Sequence, residues 1–91
     1  MTEYEILNAA IEKYGEKAQE EVAIEELSEL IQAICHKHRG REHNIAEEIA
    51  DVEIMLEQLK IINGCHNQVL RITTEKLLRL EQRLKGGVEN E

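Results

Sequence analysis

The chain has no proline, no tryptophan and no phenylalanine, and Tyr4 and Tyr14 are its only aromatic residues. Without proline, no ring interrupts a helix from within. With so few aromatics, a core must be built from Ile, Leu, Val and Ala, and a nucleobase would find few rings to stack on. Five glycines, at 15, 40, 64, 86 and 87, are the only strong breakers. Cys35 and Cys65 are the only cysteines, which does not suggest a secreted disulfide scaffold and implies reduced thiols. No apolar run is long enough to span a bilayer, and the acidic N-terminus lacks the basic start and apolar stretch of a signal peptide. No Gly-rich phosphate loop is present. Basic residues are scarce as well: 11 against 19 acidic ones, for a formal net charge of −8. That balance argues against a duplex nucleic-acid partner, which calls for a concentrated basic surface. It also means that any phosphate chemistry needs divalent cations to invert the local charge. The expectation is a cytoplasmic protein with no membrane partner.

What is present favours helix. Glu, Leu, Ile, Ala, Lys and Gln dominate the 91 residues, and they are helix formers or tolerate helix well. Length allows one small domain, expected over residues 1–85, with 86–91 as a flexible tail. Thr2 and Glu5 have the spacing of a capping box, predicting a first helix to about Tyr14. Gly15 breaks it. A second helix is predicted from about Glu16 to Lys37, with Ala23, Leu27, Leu30, Ile31 and Ile34 as its apolar stripe. The polar stretch His38 to His43 turns the chain. Asn44 with Glu47 reads as another N-cap, opening a third helix over about 45–62 that Asn63-Gly64 ends. A fourth follows from about Asn67 to Lys85, with Leu70, Leu77 and Leu84 seven apart and Leu80 between them, a spacing suited to a helix-packing seam. The fold class is all-α, a four-helix bundle-like arrangement with the second and third helices antiparallel.

Two acidic patterns stand out. The second helix carries Glu25, Glu26 and Glu29, and the third carries Glu48 and Asp51. Residues three apart share a helix face, so Glu26/Glu29 and Glu48/Asp51 are each a pair of like charges that costs stability unless a cation joins them. At about 100° per residue, the third helix's apolar stripe comprises Ile45, Ile49, Val52, Met55, Leu56, Leu59 and Ile62. Glu48 falls inside that stripe and Asp51 on its edge. On the second helix Glu26 borders the apolar side, Glu29 lies further round and Glu25 nearly opposite. A carboxylate facing a core needs a cationic partner or a metal. Lys37, Arg39 and Lys60 are the basic candidates for an ion pair with Glu48. Hard oxygen donors without a histidine set otherwise favour Mg²⁺ or Mn²⁺ over zinc. For Glu25, Glu47, Glu53 and Glu57 a solvated face is the simpler account.

The EExxE pattern at Glu25, Glu26 and Glu29, followed after a turn by ExxD at Glu48 and Asp51, resembles the MazG-like all-α nucleoside triphosphate pyrophosphohydrolases. The flanking AIEELSELIQA and NIAEEIADVEIMLEQLK resemble the small single-domain members, and the likeness extends over about residues 16–84. The resemblance implies hydrolysis of a nucleoside or deoxynucleoside triphosphate to the monophosphate and pyrophosphate. It implies Mg²⁺, with Mn²⁺ as a substitute, on Glu26, Glu29, Glu48 and Asp51, and a catalytic carboxylate on the second helix, Glu25 or Glu26. It also implies a homodimer or dimer-based tetramer. Assembly has separate support in the third helix, where Ala50, Ile54 and Ile61 form a second apolar strip.

The other candidates are weaker. Cys35, His36, His38, His43, Cys65 and His66 lack a second matched pair, so structural zinc is disfavoured. Lys37, Arg39 and Arg41 suit the negative end of the second helix, and Lys37, Arg39 and Lys60 are the candidates for meeting substrate phosphates. A different class of function, a non-catalytic helical oligomerisation or regulatory module using the Leu70–Leu77–Leu84 seam, makes no demand on Glu48. A third reading is a degenerate family member that binds nucleotides without turning them over.

Overall fold

The computed structural model describes residues 1–86, so Gly86 is the only part of the expected tail within the described residues. The chain forms four helices: α1 (Glu3–Tyr14), α2 (Glu16–His38), α3 (Ile45–Asn63) and α4 (His66–Leu84). No strand occurs among the described residues. The all-α expectation is borne out, with each predicted boundary within about two residues.

Local chemistry sets several of these ends. The Thr2 capping box forms: the Glu5 amide donates to Thr2 Oγ1 at 3.1 Å and the Thr2 amide to Glu5 Oε1 at 2.8 Å. Hydrogen bonding from the Thr2 amide, and then from its hydroxyl, holds the Glu5 carboxyl below its usual pKa. Gly64 adopts the left-handed conformation at φ +58, letting its amide reach the Ile61 carbonyl and the Cys65 amide reach that of Lys60. Asn44 departs from expectation. Its side chain makes no cap bond, and its carbonyl accepts the first helical bond from the Glu48 amide at 3.0 Å. α4 starts one residue early, after Cys65, also without a side-chain cap.

α1, α2 and α3 pack together, with the α2–α3 hairpin at the centre, whereas α4 touches only α3. The core consists of Leu7 and Ile11 from α1, Ala23 and Ala33 from α2, and Val52 and Met55 from α3. The alanines allow a close helix approach. Three polar side chains are buried with them: Gln19, Gln58 and Glu48. The two glutamines meet directly, Gln19 Nε2 donating to Gln58 Oε1 at 2.7 Å.

The apolar stripes need correction. On α2, Leu27, Ile31 and Ile34 are exposed, and only Ala23 of the expected stripe is buried. On α3 the buried line is Glu48, Val52, Met55 and Gln58, while Ile49 and Leu56 are exposed. Pattern reading selects the most apolar arc, but the contact is made along the arc that lets small residues interlock. α4 buries nothing. The seam expected over Leu70, Leu77 and Leu84 is open to solvent within the described chain.

Candidate metal centre

The antiparallel hairpin brings the two acidic pairs face to face. Ligand atoms of Glu26, Glu29 and Glu48 lie within 4.8 Å of one another. Asp51 lies beside the group, near enough for its carboxylate to push the pKa of both Glu26 and Glu48 upward. Each pair occupies one helical turn, so four carboxyls converge from two rigid elements and no loop is involved. Glu29 sits at the solvent side, Glu26 and Asp51 are half-buried, and Glu48 is only 7% exposed.

Among the described residues the electrostatics are uncompensated. Burial pushes Glu26 up to about 7, and hydrogen bonding to Asp51 and the charges of Asp51, Glu29 and Glu48 push it the same way. Burial also raises Glu48, helped by Glu29, Asp51 and Glu47. All the charged groups acting on these two are negative. Glu26 Oε2 is buried and has no hydrogen-bond partner. A buried oxygen in that condition is costly unless a cation or a proton meets it.

The ion-pair alternative for Glu48 is not formed among the described residues. Lys60 bonds instead to Glu57 at 2.8 Å. It stands twelve residues beyond Glu48 on α3, about 18 Å along the axis. There it lines a cleft of about 790 Å³ with Tyr4, Leu7, Glu57 and Ile61, which none of the four carboxylates borders. Lys37 and Arg39 are exposed at the hairpin end. Lys37 is eight residues past Glu29, about 12 Å along α2. Glu25 is exposed and outside the carboxylate group. Among the described residues, no cysteine–histidine set converges as metal ligands.

The donor set fits a hard divalent cation: oxygen ligands only, drawn from facing helices, with one orphaned oxygen and room on the Glu29 side for water. The buried Gln19–Gln58 bond was not anticipated, because glutamine on a helix ordinarily reads as surface. A usable signal was available, since Gln19 lies four residues before Ala23 and Gln58 three after Met55, on the inward lines of their helices.

No family model, curated protein or solved structure matches this chain.

Proposed function

We propose that the protein is a Mg²⁺-dependent nucleoside or deoxynucleoside triphosphate pyrophosphohydrolase, releasing monophosphate and pyrophosphate in nucleotide-pool housekeeping or dNTP control. The observation that carries this reading is the buried, unpartnered Glu26 oxygen among carboxylates that no cationic side chain of the described residues joins. Glu26, Glu29, Glu48 and Asp51 would hold Mg²⁺, or Mn²⁺ in its place. The nucleotide half of the reading is supported by the resemblance of the EExxE and ExxD motifs to the MazG-like enzymes.

Bound Mg²⁺ supplies charge neutralisation and Lewis acidity at a phosphoryl oxygen. The chain's own part is to position and to move a proton. Water bonds to one phosphorus of the α–β anhydride, the bridging P–O bond to that phosphorus breaks, and monophosphate and pyrophosphate separate while a carboxylate takes the water's proton. Glu26 suits that role better than Glu25, because it belongs to the carboxylate group and Glu25 faces solvent. Lys37 and Arg39 are the cations available at the hairpin end for the outer phosphates. The working form is a homodimer or dimer-based tetramer in the cytoplasm, with the uncovered side chains of α4 supporting assembly.

That same α4 favours a second reading, a non-catalytic helical assembly module. Incubating the protein with a dNTP and NTP panel, with Mg²⁺ or Mn²⁺ and then with EDTA, separates the two. Monophosphate plus pyrophosphate, lost with EDTA and in Glu48→Gln, supports the enzyme. Diphosphate plus phosphate overturns the reaction class. No turnover of any nucleotide leaves the module reading in its place.

A further inference from the structure

We propose that the apolar stripe of α4 docks on the exposed strip of α2 in a second copy of this chain. The inference stands on surface and charge, whichever chemistry the carboxylates perform.

α4 is a 19-residue helix with no buried residue. Leu70, Leu77, Leu80 and Leu84 share one face, and Leu77 is 59% and Leu84 80% exposed. Most of a helix's stability in a protein comes from packing an amphipathic face, and a run of large apolar side chains along one face marks an interaction surface. The helix does not fold back, for it touches neither α1 nor α2. The Cα radius of gyration is accordingly 16.5 Å, against about 12 Å for a compact chain of this length.

A receiving surface of matching period lies on α2. Ile24, Leu27, Ile31 and Ile34 follow a three-four-three spacing, the period of a helix-packing seam. All four are exposed, Ile31 by 62%. They occupy the side of α2 away from Glu29, so docking there leaves the carboxylates open.

Charge selects this pairing over α4 against α4. Residues 1–63 hold fifteen acidic and six basic side chains, whereas α4 holds four basic and two acidic. Glu20 and Glu21 stand at the start of the α2 strip, and on α4 Lys76 and Arg79 border Leu77 and Leu80. Pairing α4 with itself would set like charges together, while pairing it with α2 sets opposite charges together. Two copies related by a two-fold axis make the contact twice, each giving its α4 and receiving the other's.

The full-length chain is tested by light scattering after size exclusion, alongside Leu77→Glu and Ile31→Glu. The wild type is a dimer or a multiple of one, and each variant alone is monomeric. Mixing the two variants restores a dimer, because the α4 of one and the α2 of the other are both unaltered and re-form one intact contact. That rescue also shows that both variants fold. A monomeric wild type overturns the proposal. So does an Ile31→Glu protein that stays dimeric, which assigns the stripe to α4 of the second copy, or a mixture that stays monomeric.

Discussion

Divalent metal binding should expel protons from this protein in an amount set by Glu26. That carboxyl is held at about 7 by burial and by its acidic neighbours. A ligating carboxylate must be deprotonated, so cation binding competes with the proton. A single group at about 7 is protonated to about 0.9 at pH 6, about 0.5 at pH 7 and about 0.1 at pH 8. Mg²⁺ should therefore release about those numbers of protons per site from Glu26. Glu48, also raised, adds to the release at the acid end. Well below pH 7 the apparent affinity should fall about tenfold per pH unit for each proton displaced. Calorimetric titration of the protein with MgCl₂, in buffers of different ionisation enthalpy at each pH, reads the proton count directly. Binding without buffer dependence at pH 6, or a release that grows from pH 6 to pH 8, would refute the assignment of the cation to this group.

Two further outcomes follow from the same hairpin. In the absence of metal, Glu26 and Glu48 titrate higher in the folded chain than their ordinary value of 4.5, so the native state binds more protons. Stability is then greatest below about pH 4.5 as far as these groups decide it, declines as pH rises through about 7, and levels off above. Urea midpoints at pH 5 and pH 8 should show that decline, Mg²⁺ should reverse it, and Glu48→Gln should flatten it while losing the Mg²⁺ response. Elsewhere, Gln58→Ala strands the Gln19 amide in the core and should cost about 2 kcal/mol. Replacing both glutamines by leucine should be far milder; if urea denaturation finds the double variant equally destabilised, the hydrogen bond is not what holds that position.

Much of the helical framework was legible because it depends on local chemistry. Thr2 and Glu5, Gly15 and Asn63-Gly64 act within a few residues of themselves, and all mark real ends. Glu48 was legible for a related reason: its place among apolar neighbours is a property of one helix, and it is buried. Faces that depend on a neighbour were read less well. Leu27, Ile31 and Ile34 form a convincing stripe on α2, yet α3 packs beside them, where Ala23 and Ala33 allow approach. The same holds for α4, whose seam is clear in sequence but finds no counterpart within the described chain. Glu26's orphaned oxygen was beyond periodicity altogether, since it depends on which atoms of α3 lie opposite.

The Gln19–Gln58 bond has a consequence for where the acids meet. Counting seven residues up α2 from Gln19 gives Glu26, and seven back along α3 from Gln58 gives Asp51; ten in each direction give Glu29 and Glu48. The amide pair and both acid pairs thus share one axial alignment, like marks on two rulers laid side by side. A slip of one helix by a single turn would shift the acids by about 5.4 Å, more than the 4.8 Å that encloses the Glu26, Glu29 and Glu48 ligand atoms. Repulsion among the acids favours such a slip, and the buried amide pair opposes it from two turns away. The glutamines therefore act as the gauge that keeps four mutually repelling groups opposite one another.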